Sequence, residues 1–294
     1  MLIDYRTYLC TLFDYKYLPK FLCLYRSLER YCEVFCLYAW PMDKKSYEFL
    51  RKQSLPGIVL IPPDKPFTPE LREAQGNRDR KEFFWTCGSY LTRWVMRTYA
   101  PPSLAYIDAD CYFFGHLADV YLAMMGAEIA IVPHRYTPEQ AERFAGNGQF
   151  NVSFVYFRNT EKGMACLEEW AAQCLEWCYY KSENGKFADQ GYLDAWPEKY
   201  GAHVIQNPGF GLAPWNQMQY KYAAKRYMVG PLVIENYYPP IVHPLTMYHF
   251  HEFRRAGDGF SRTGHTLHPM VATHIYEPYE EEMREMILLV ENSG

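Results

Sequence analysis

The 294-residue chain has no apolar run near the roughly 18 residues that a membrane-spanning helix needs. Its first stretch, MLIDYRTYLCTLFDYKY, interleaves charged and apolar side chains and lacks the basic segment and apolar core of a secretory leader. No signal peptide is expected. There is no CxxC pair, the nine cysteines are odd in number, and they stand inside apolar stretches. That pattern points to reduced thiols in a cytoplasmic protein, with at most peripheral membrane contact, and away from a disulfide-stapled secreted one. A basic surplus is missing too, with 30 Lys and Arg against 34 Asp and Glu. Neither nucleic acid nor an anionic membrane surface is an expected partner. Repeats, low-complexity tracts and long Gly/Ser linkers are also absent from the sequence.

What is present is material for a large core: 49% apolar residues against 22% charged. Aromatic residues reach 18%, including 27 Tyr and 7 Trp. Flat rings suit the apolar faces of pyranoses, but a Tyr-rich core accounts for them equally well. Cys174 and Cys178 lie one helical turn apart and read as small core residues beside Leu167, Trp170 and Leu175.

Arg6–Phe13 reads as a strand, Leu18–Tyr31 as a helix, Val34–Ala39 as a strand, Lys44–Gln53 as a helix and Gly57–Ile61 as a strand. This alternation predicts an α/β fold with a mostly parallel central sheet flanked by helices. Phe83–Tyr99 is a further predicted helix, stopped by Ala100-Pro101-Pro102. Strands are predicted at Leu104–Ile107, Ala127–Val132 and Val152–Phe157, and helices over Thr160–Tyr179, Gln190–Trp196 and Pro278–Val290. After about residue 200 periodicity fades into Gly, Pro and Tyr, and six of the nine His fall in the last 52 residues.

The chemical signal is Tyr106-Ile107-Asp108-Ala109-Asp110. A short apolar strand delivers two carboxylates at the edge of a sheet where ligands of open α/β folds bind. Such a pair suits a hard divalent cation whose shell phosphate oxygens complete. With 11 aspartates, chance alone supplies about 0.4 Asp-x-Asp triplets in a chain of this length. The strand context, not the triplet, carries the reading. His249 and His251 alternate along a predicted strand and would point the same way, so either could be a metal ligand. Asp189 reads either as a site residue or as the cap of the helix that follows it. The glycines of Asn207–Asn216 suit backbone approach to phosphate or a plain turn, and Arg78–Lys81 reads as a solvated basic stretch or, less readily, part of a lid.

In order along the chain, these motifs resemble the GT-A glycosyltransferases, above all the retaining family 8 enzymes and their bacterial relatives. Thr11-Leu12-Phe13-Asp14-Tyr15-Lys16-Tyr17 resembles the first strand and uridine-binding turn, which implies donor contacts from Thr11, Phe13, Asp14 and Tyr17. Arg93 matches the donor-binding arginine, and Asp108-Ala109-Asp110 the metal motif. Asn151-Val152-Ser153 resembles the Asn-x-Gly strand beside the transferred sugar, with Ser153 in the glycine's place, and Asp189-Gln190 resembles the pair that faces that sugar. Tyr248–Arg254 resembles the closing segment that supplies a metal-binding His, here His249, and a phosphate-binding cation, here Arg254. Glu252 and Arg254 stand where that family has Gly and Lys.

The resemblance implies a catalytic unit over 1–240 that binds a nucleotide sugar, closed over its metal site by an extension over 241–294. It further implies Mn2+ (or Mg2+) held by Asp108, Asp110 and His249, and a UDP-sugar as donor. A glycan or lipid-linked saccharide would be the acceptor, and Asp189, Gln190 and Asn151 would be the catalytic residues. Transfer with retention needs no dedicated base; transfer with inversion would use Asp189 as one. A sugar-phosphate nucleotidyltransferase is disfavoured because Leu12–Lys16 has no glycine for a phosphate loop. A zinc hydrolase is disfavoured because only Glu252 accompanies the late histidines. A glycan-binding or scaffold protein on an inactive transferase fold is the remaining alternative.

Overall fold

The computed structural model describes residues 6–124, 126–224, 231–234 and 240–292. Strand β1 (Thr7–Phe13) is buried along its whole length, which is why its sequence is nearly unbroken in apolar and Thr residues. After it come α1 (Leu18–Tyr31), β2 (Phe35–Pro41), α2 (Lys44–Arg51) and β3 (Ile58–Leu60), with β2 pairing in parallel to both β1 and β3. Two helices, α3 (Pro69–Asn77) and α4 (Arg80–Tyr99), lead to β4 (Ser103–Ile107), which lies parallel to β1 on its other side. Beyond β4 lie β5 (Cys111–Phe113), α5 (Ala118–Ala123), β6 (Ile129–Pro133), α6 (Pro138–Arg143) and β7 (Phe150–Arg158). Then follow α7 (Glu161–Glu176), α8 (Trp196–Tyr200) and β8 (His203–Val204). Seven of these strands form one sheet in the order β3-β2-β1-β4-β7-β6-β8, in which β7 runs antiparallel to β4 and β6.

Successive side chains of a strand point to opposite faces, and each face has its own helices. Leu9 and Phe13 of β1 join the core under α1 and α2, with Leu22, Leu28 and Phe49. Tyr8, Cys10 and Leu12 join the other core, with Phe83, Leu91 and Val95 of α4 and Leu167, Trp170, Cys174 and Cys178 in or beside α7. The cysteine pair is thus core.

Helix ends follow local chemistry. A reciprocal capping box between Asp79 and Glu82 starts α4 three residues before its apolar periodicity begins, and Ala100 in the left-handed region (φ 46°) closes it ahead of Pro101. Thr160 caps α7, which stops at Glu176 and not at Tyr179. The stretch after Asp189 differs from its expectation. It is a 3-10 turn, Gly191–Ala195, followed by α8, and no side chain caps its start.

From Phe210 to Ser261 the described residues form short strands. They are β9 (Phe210–Leu212), β10 (Lys221–Ala224), β11 (Pro231–Ile234), β12 (Val242–Pro244), β13 (Met247–His249), β14 (Arg254–Ala256) and β15 (Gly259–Ser261). Strand β13 pairs antiparallel with β5 and parallel with β9, while β10, β11 and β12 form a separate antiparallel sheet. A short helix, α9 (Pro269–Val271), runs through a π-helical stretch, Ala272–Tyr276, into α10 (Glu277–Asn292). Tyr279, Met283 and Met286 of α10 pack into the core beside α1. Among the described residues no helix is long and apolar enough to cross a membrane.

Candidate metal and nucleotide site

Strand β4 ends at Ile107, and a tight turn closed by Cys111 N–H donating to the Asp108 carbonyl (3.0 Å) swings the chain into β5. Asp108 and Asp110 therefore emerge at the carboxyl end of a strand near the middle of the sheet, the end at which ligands of α/β folds bind. Register brings the third member: β13 pairs with β5 so that His249 lies opposite Cys111, and Phe250 N–H donates to the Asp110 carbonyl (2.9 Å). His249 Nε2 then stands 3.2 Å from Asp110 Oδ1 and 3.7 Å from Asp108 Oδ2. One ligand atom from each of the three residues falls within 4.8 Å of the others. Two carboxylates and an imidazole make a donor set that fits a hard divalent cation such as Mn2+ or Mg2+.

The electrostatics are those of a site crowded with acids. Burial would raise Asp110, but Lys20 and His249 outweigh it and hold its carboxyl below the usual range. Desolvation in the cleft, added to by the charge of Asp110, pushes Asp108 up although its side chain is 32% exposed; the Tyr106 hydroxyl donates to its Oδ1 (3.0 Å). The two acids more than offset the burial that would lower His249, whose Nδ1 is buried without a hydrogen-bond partner among the described residues. Burial, then the charge of His249, pulls His251 down to about 4, and burial pulls His134 down to about 3. Asp189 is buried, and desolvation followed by the charge of Asp108 raises it well above the usual carboxylate range.

These residues border a cleft of about 670 Å3. Of the residues singled out in the sequence, Phe13, Asp14, Tyr17, Asp108, Asp110, Asn151, Ser153, Asp189, Gln190, His249, His251 and Glu252 line it. Thr11 lies beneath, fully buried, with no partner for its hydroxyl among the described residues. Asp14 accepts from Tyr17 N–H (3.1 Å) and pairs with Arg80. Asn151 accepts from the Ser153 N–H (3.1 Å), and its amide reaches the Val132 carbonyl (3.4 Å). Gln190 donates to the Asn147 carbonyl (2.7 Å).

Two residues are not brought there. Arg93 faces Glu168 across α4 and α7 (3.7 Å) and borders a separate groove with Tyr90 and Trp94. Arg254 stands exposed on β14, in a second groove beside Lys16 and Ile287. His251 lies past the end of β13, in a turn, so its alternation with His249 is not that of a strand. The Asn207–Asn216 glycines serve packing. A β-carbon on Gly209 would sit 2.1 Å from the Pro244 carbonyl oxygen, and one on Gly211 (φ 85°) 2.4 Å from Val132.

In the cleft and beside it, on the second groove, stand residues that sequence reasoning passed over. Lys20 donates to Asp110 Oδ2 (3.3 Å), and the rings of Trp215 and His249 meet edge to face at 5.7 Å. Arg80 and Lys81 are exposed, as a solvated stretch would be, and they also line the cleft, with Lys81 over the rings of Tyr180 (4.1 Å) and Trp85 (4.6 Å). Arg78 is buried and donates to the Cys174 and Leu175 carbonyls (3.0 and 2.7 Å). A lysine on the buried stripe of α1, just after the β1 turn, was the legible signal for Lys20.

A galactosyltransferase, LgtC, solved with donor and acceptor sugar analogs, superposes on 97% of this chain and 95% of its own at a TM-score of 0.56 with 12% identity. The fold is that of the GT-A glycosyltransferases. A second structure of this GT-A enzyme, an active-site glutamine-to-glutamate mutant, matches 82% of the chain and 86% of its own at a TM-score of 0.54 and 12% identity. In sequence, the chain is 29% identical over 238 residues to YfnD of Bacillus subtilis, an uncharacterized protein, covering 80% of this chain and 74% of that one. A further uncharacterized protein of the same organism, YfnF, is 26% identical over 288 residues, covering 95% and 92%. No family model matches the chain.

Proposed function

We propose that the chain is a metal-dependent glycosyltransferase that moves a sugar from a nucleotide-diphosphate donor, a UDP-sugar, to a hydroxyl of a glycan or lipid-linked saccharide. The observation that supports it most is the Asp108–Asp110–His249 cluster at the carboxyl end of β4, on a GT-A sheet. These three residues would hold Mn2+ or Mg2+, which when bound supplies Lewis-acid stabilisation to a departing diphosphate.

The chain's own residues do the remainder. Phe13, Asp14 and Tyr17 would receive the uracil and ribose at the β1 turn, with Arg80 fixing the Asp14 carboxylate. Lys81 in the cleft and Lys20 beside Asp110 (3.3 Å) would supply positive charge where negative charge grows. Asn151, Asp189 and Gln190 would face the transferred sugar. In LgtC a glutamine is named as an active-site residue, and Gln190 is the counterpart we assign. Burial raises the proton affinity of Asp189, which suits its carboxyl to a hydrogen bond with a sugar hydroxyl during transfer with retention. The same raised affinity for a proton suits a general base, so inversion with Asp189 as base is the second reading. The anomeric configuration of the product, read by NMR, separates the two.

The test is a panel of nucleotide sugars with Mn2+, followed by donor hydrolysis and thermal shift. The reading expects metal-dependent hydrolysis of at least one donor and stabilisation by UDP with Mn2+ of several degrees. No hydrolysis and no shift with any nucleotide would leave the glycan-binding module instead.

A further inference from the structure

Lys20 lies in the first turn of α1, 7% exposed, with its ammonium 3.3 Å from Asp110 Oδ2 and 4.1 Å from the centre of the Tyr17 ring. Taking an ammonium out of water is costly, and a single ion pair offsets that only in part, so a buried ion pair here is weak evidence of a purely stabilising role. The geometry divides Asp110 in two: Oδ2 faces Lys20, while Oδ1 faces His249 Nε2 (3.2 Å). Lys20 therefore leaves the ligand atoms of the metal cluster open and acts on them through its charge. The two acids and Lys20 sum formally to −1, which a divalent cation turns to +1; without Lys20 the sums are −2 and 0. Among the described residues no other Lys or Arg pairs with Asp110: Arg93 faces Glu168, Arg80 pairs with Asp14, Lys81 lies over the rings of Tyr180 and Trp85, and Arg254 borders the same second groove as Lys20 but stands exposed.

We propose that Lys20 is a positioning residue that couples the metal to the diphosphate. Its charge opposes a divalent cation arriving alone and makes the loaded centre net cationic, so cation and diphosphate are taken up together. Such coupling is reciprocal: each ligand must tighten the other by the same factor. The inference rests on the nucleotide-sugar reading above.

The experiment is calorimetric titration of Mn2+ alone, of UDP alone, and of each in the presence of the other, on the wild-type chain, Lys20→Met and Lys20→Gln, with thermal melts as the control for folding. In the wild type, UDP should tighten Mn2+ by at least about tenfold. In Lys20→Met, Mn2+ alone should bind about tenfold tighter while UDP in saturating Mn2+ binds about tenfold weaker, by Coulomb's law acting in opposite senses. Lys20→Gln carries the same expectation should the methionine variant not fold. A loosened site would weaken both affinities, so changes in one direction, or none, overturn the role of Lys20. A wild type in which UDP does not tighten Mn2+ overturns it without reference to any variant. A wild type that binds no UDP with Mn2+ takes the nucleotide-sugar reading down as well, whereas normal binding with unchanged variants removes the role of Lys20 alone.

Discussion

Residues 7–200 and residues 201–292 reach the metal site by different means. The first region carries its two carboxylates on a turn between β4 and β5, and β4 is held between β1, paired at two positions, and β7, paired along all five of its residues. The second brings His249 and Trp215 on three-residue strands and turns. There the backbone is satisfied by side chains: Arg135 donates to the Ile205, Asn207 and Phe210 carbonyls (2.7, 3.0 and 3.1 Å), Gln217 to Thr266 (2.7 Å) and Asn216 to His134 (3.0 Å). The lesson is one of division of labour. A rigid sheet fixes where the charge sits, and an irregular segment, tied down residue by residue, brings in the ligand that completes the site.

The contrast is sharpest at the ligands themselves. Asp110→Asn keeps the shape of the turn but removes the negative charge of a metal ligand, so turnover should fall by about a thousandfold or more, several kcal/mol of lost transition-state stabilisation. Steady-state kinetics check this, and an unchanged melting temperature would show that the sheet did not depend on the charge. His249→Ala, on the irregular side, should weaken Mn2+ binding by at least about tenfold and also loosen the ring contact with Trp215 (5.7 Å). Calorimetric titration with Mn2+ reads the first effect, and Trp fluorescence the second.

Gly209→Ala probes the packing of the irregular region alone. Its β-carbon would meet the Pro244 carbonyl at 2.1 Å, so we expect about 1–3 kcal/mol of destabilisation and a drop of several degrees in melting temperature. Retention of full stability would mean that this region yields where the sheet would not.

The smallest expected effect tests the buried acid. The folded state raises the proton affinity of Asp189, so its charge costs stability above the unfolded carboxylate value near pH 4, and the cost grows with pH. Asp189→Asn should therefore melt about 1–3 °C above the wild type at pH 8, with the gap closing toward pH 4. A gap that widens on acidification would contradict the burial argument.

How far the sequence foretold this arrangement follows the same division. Near-continuous apolar runs marked β1, β2 and β4, and period-3.6 spacing marked α1, because two-sided burial leaves a strong imprint on a strand's composition. The Asp108 and Asp110 pair was legible because it sits directly behind such a strand. His249 was legible only through the order of motifs, since a three-residue strand has too few positions to show a period. Arg93 and Arg254 were misplaced because a cation's neighbours across α4 and α7, or on an exposed hairpin, leave no local trace. Lys20 and Trp215 went unread for a related reason. Their roles come from residues 90 and 34 positions away, Asp110 and His249, and only the folded chain puts them together.

The central claim is that the sheet edge and β13 jointly hold a cation that grips a diphosphate. Anomalous diffraction at the manganese edge from crystals grown with Mn2+ and UDP tests it most directly. The account predicts one strong peak among Asp108, Asp110 and His249, with the diphosphate beside it. UDP bound in that cleft with no peak at those three side chains, or a peak elsewhere on the molecule, would contradict it.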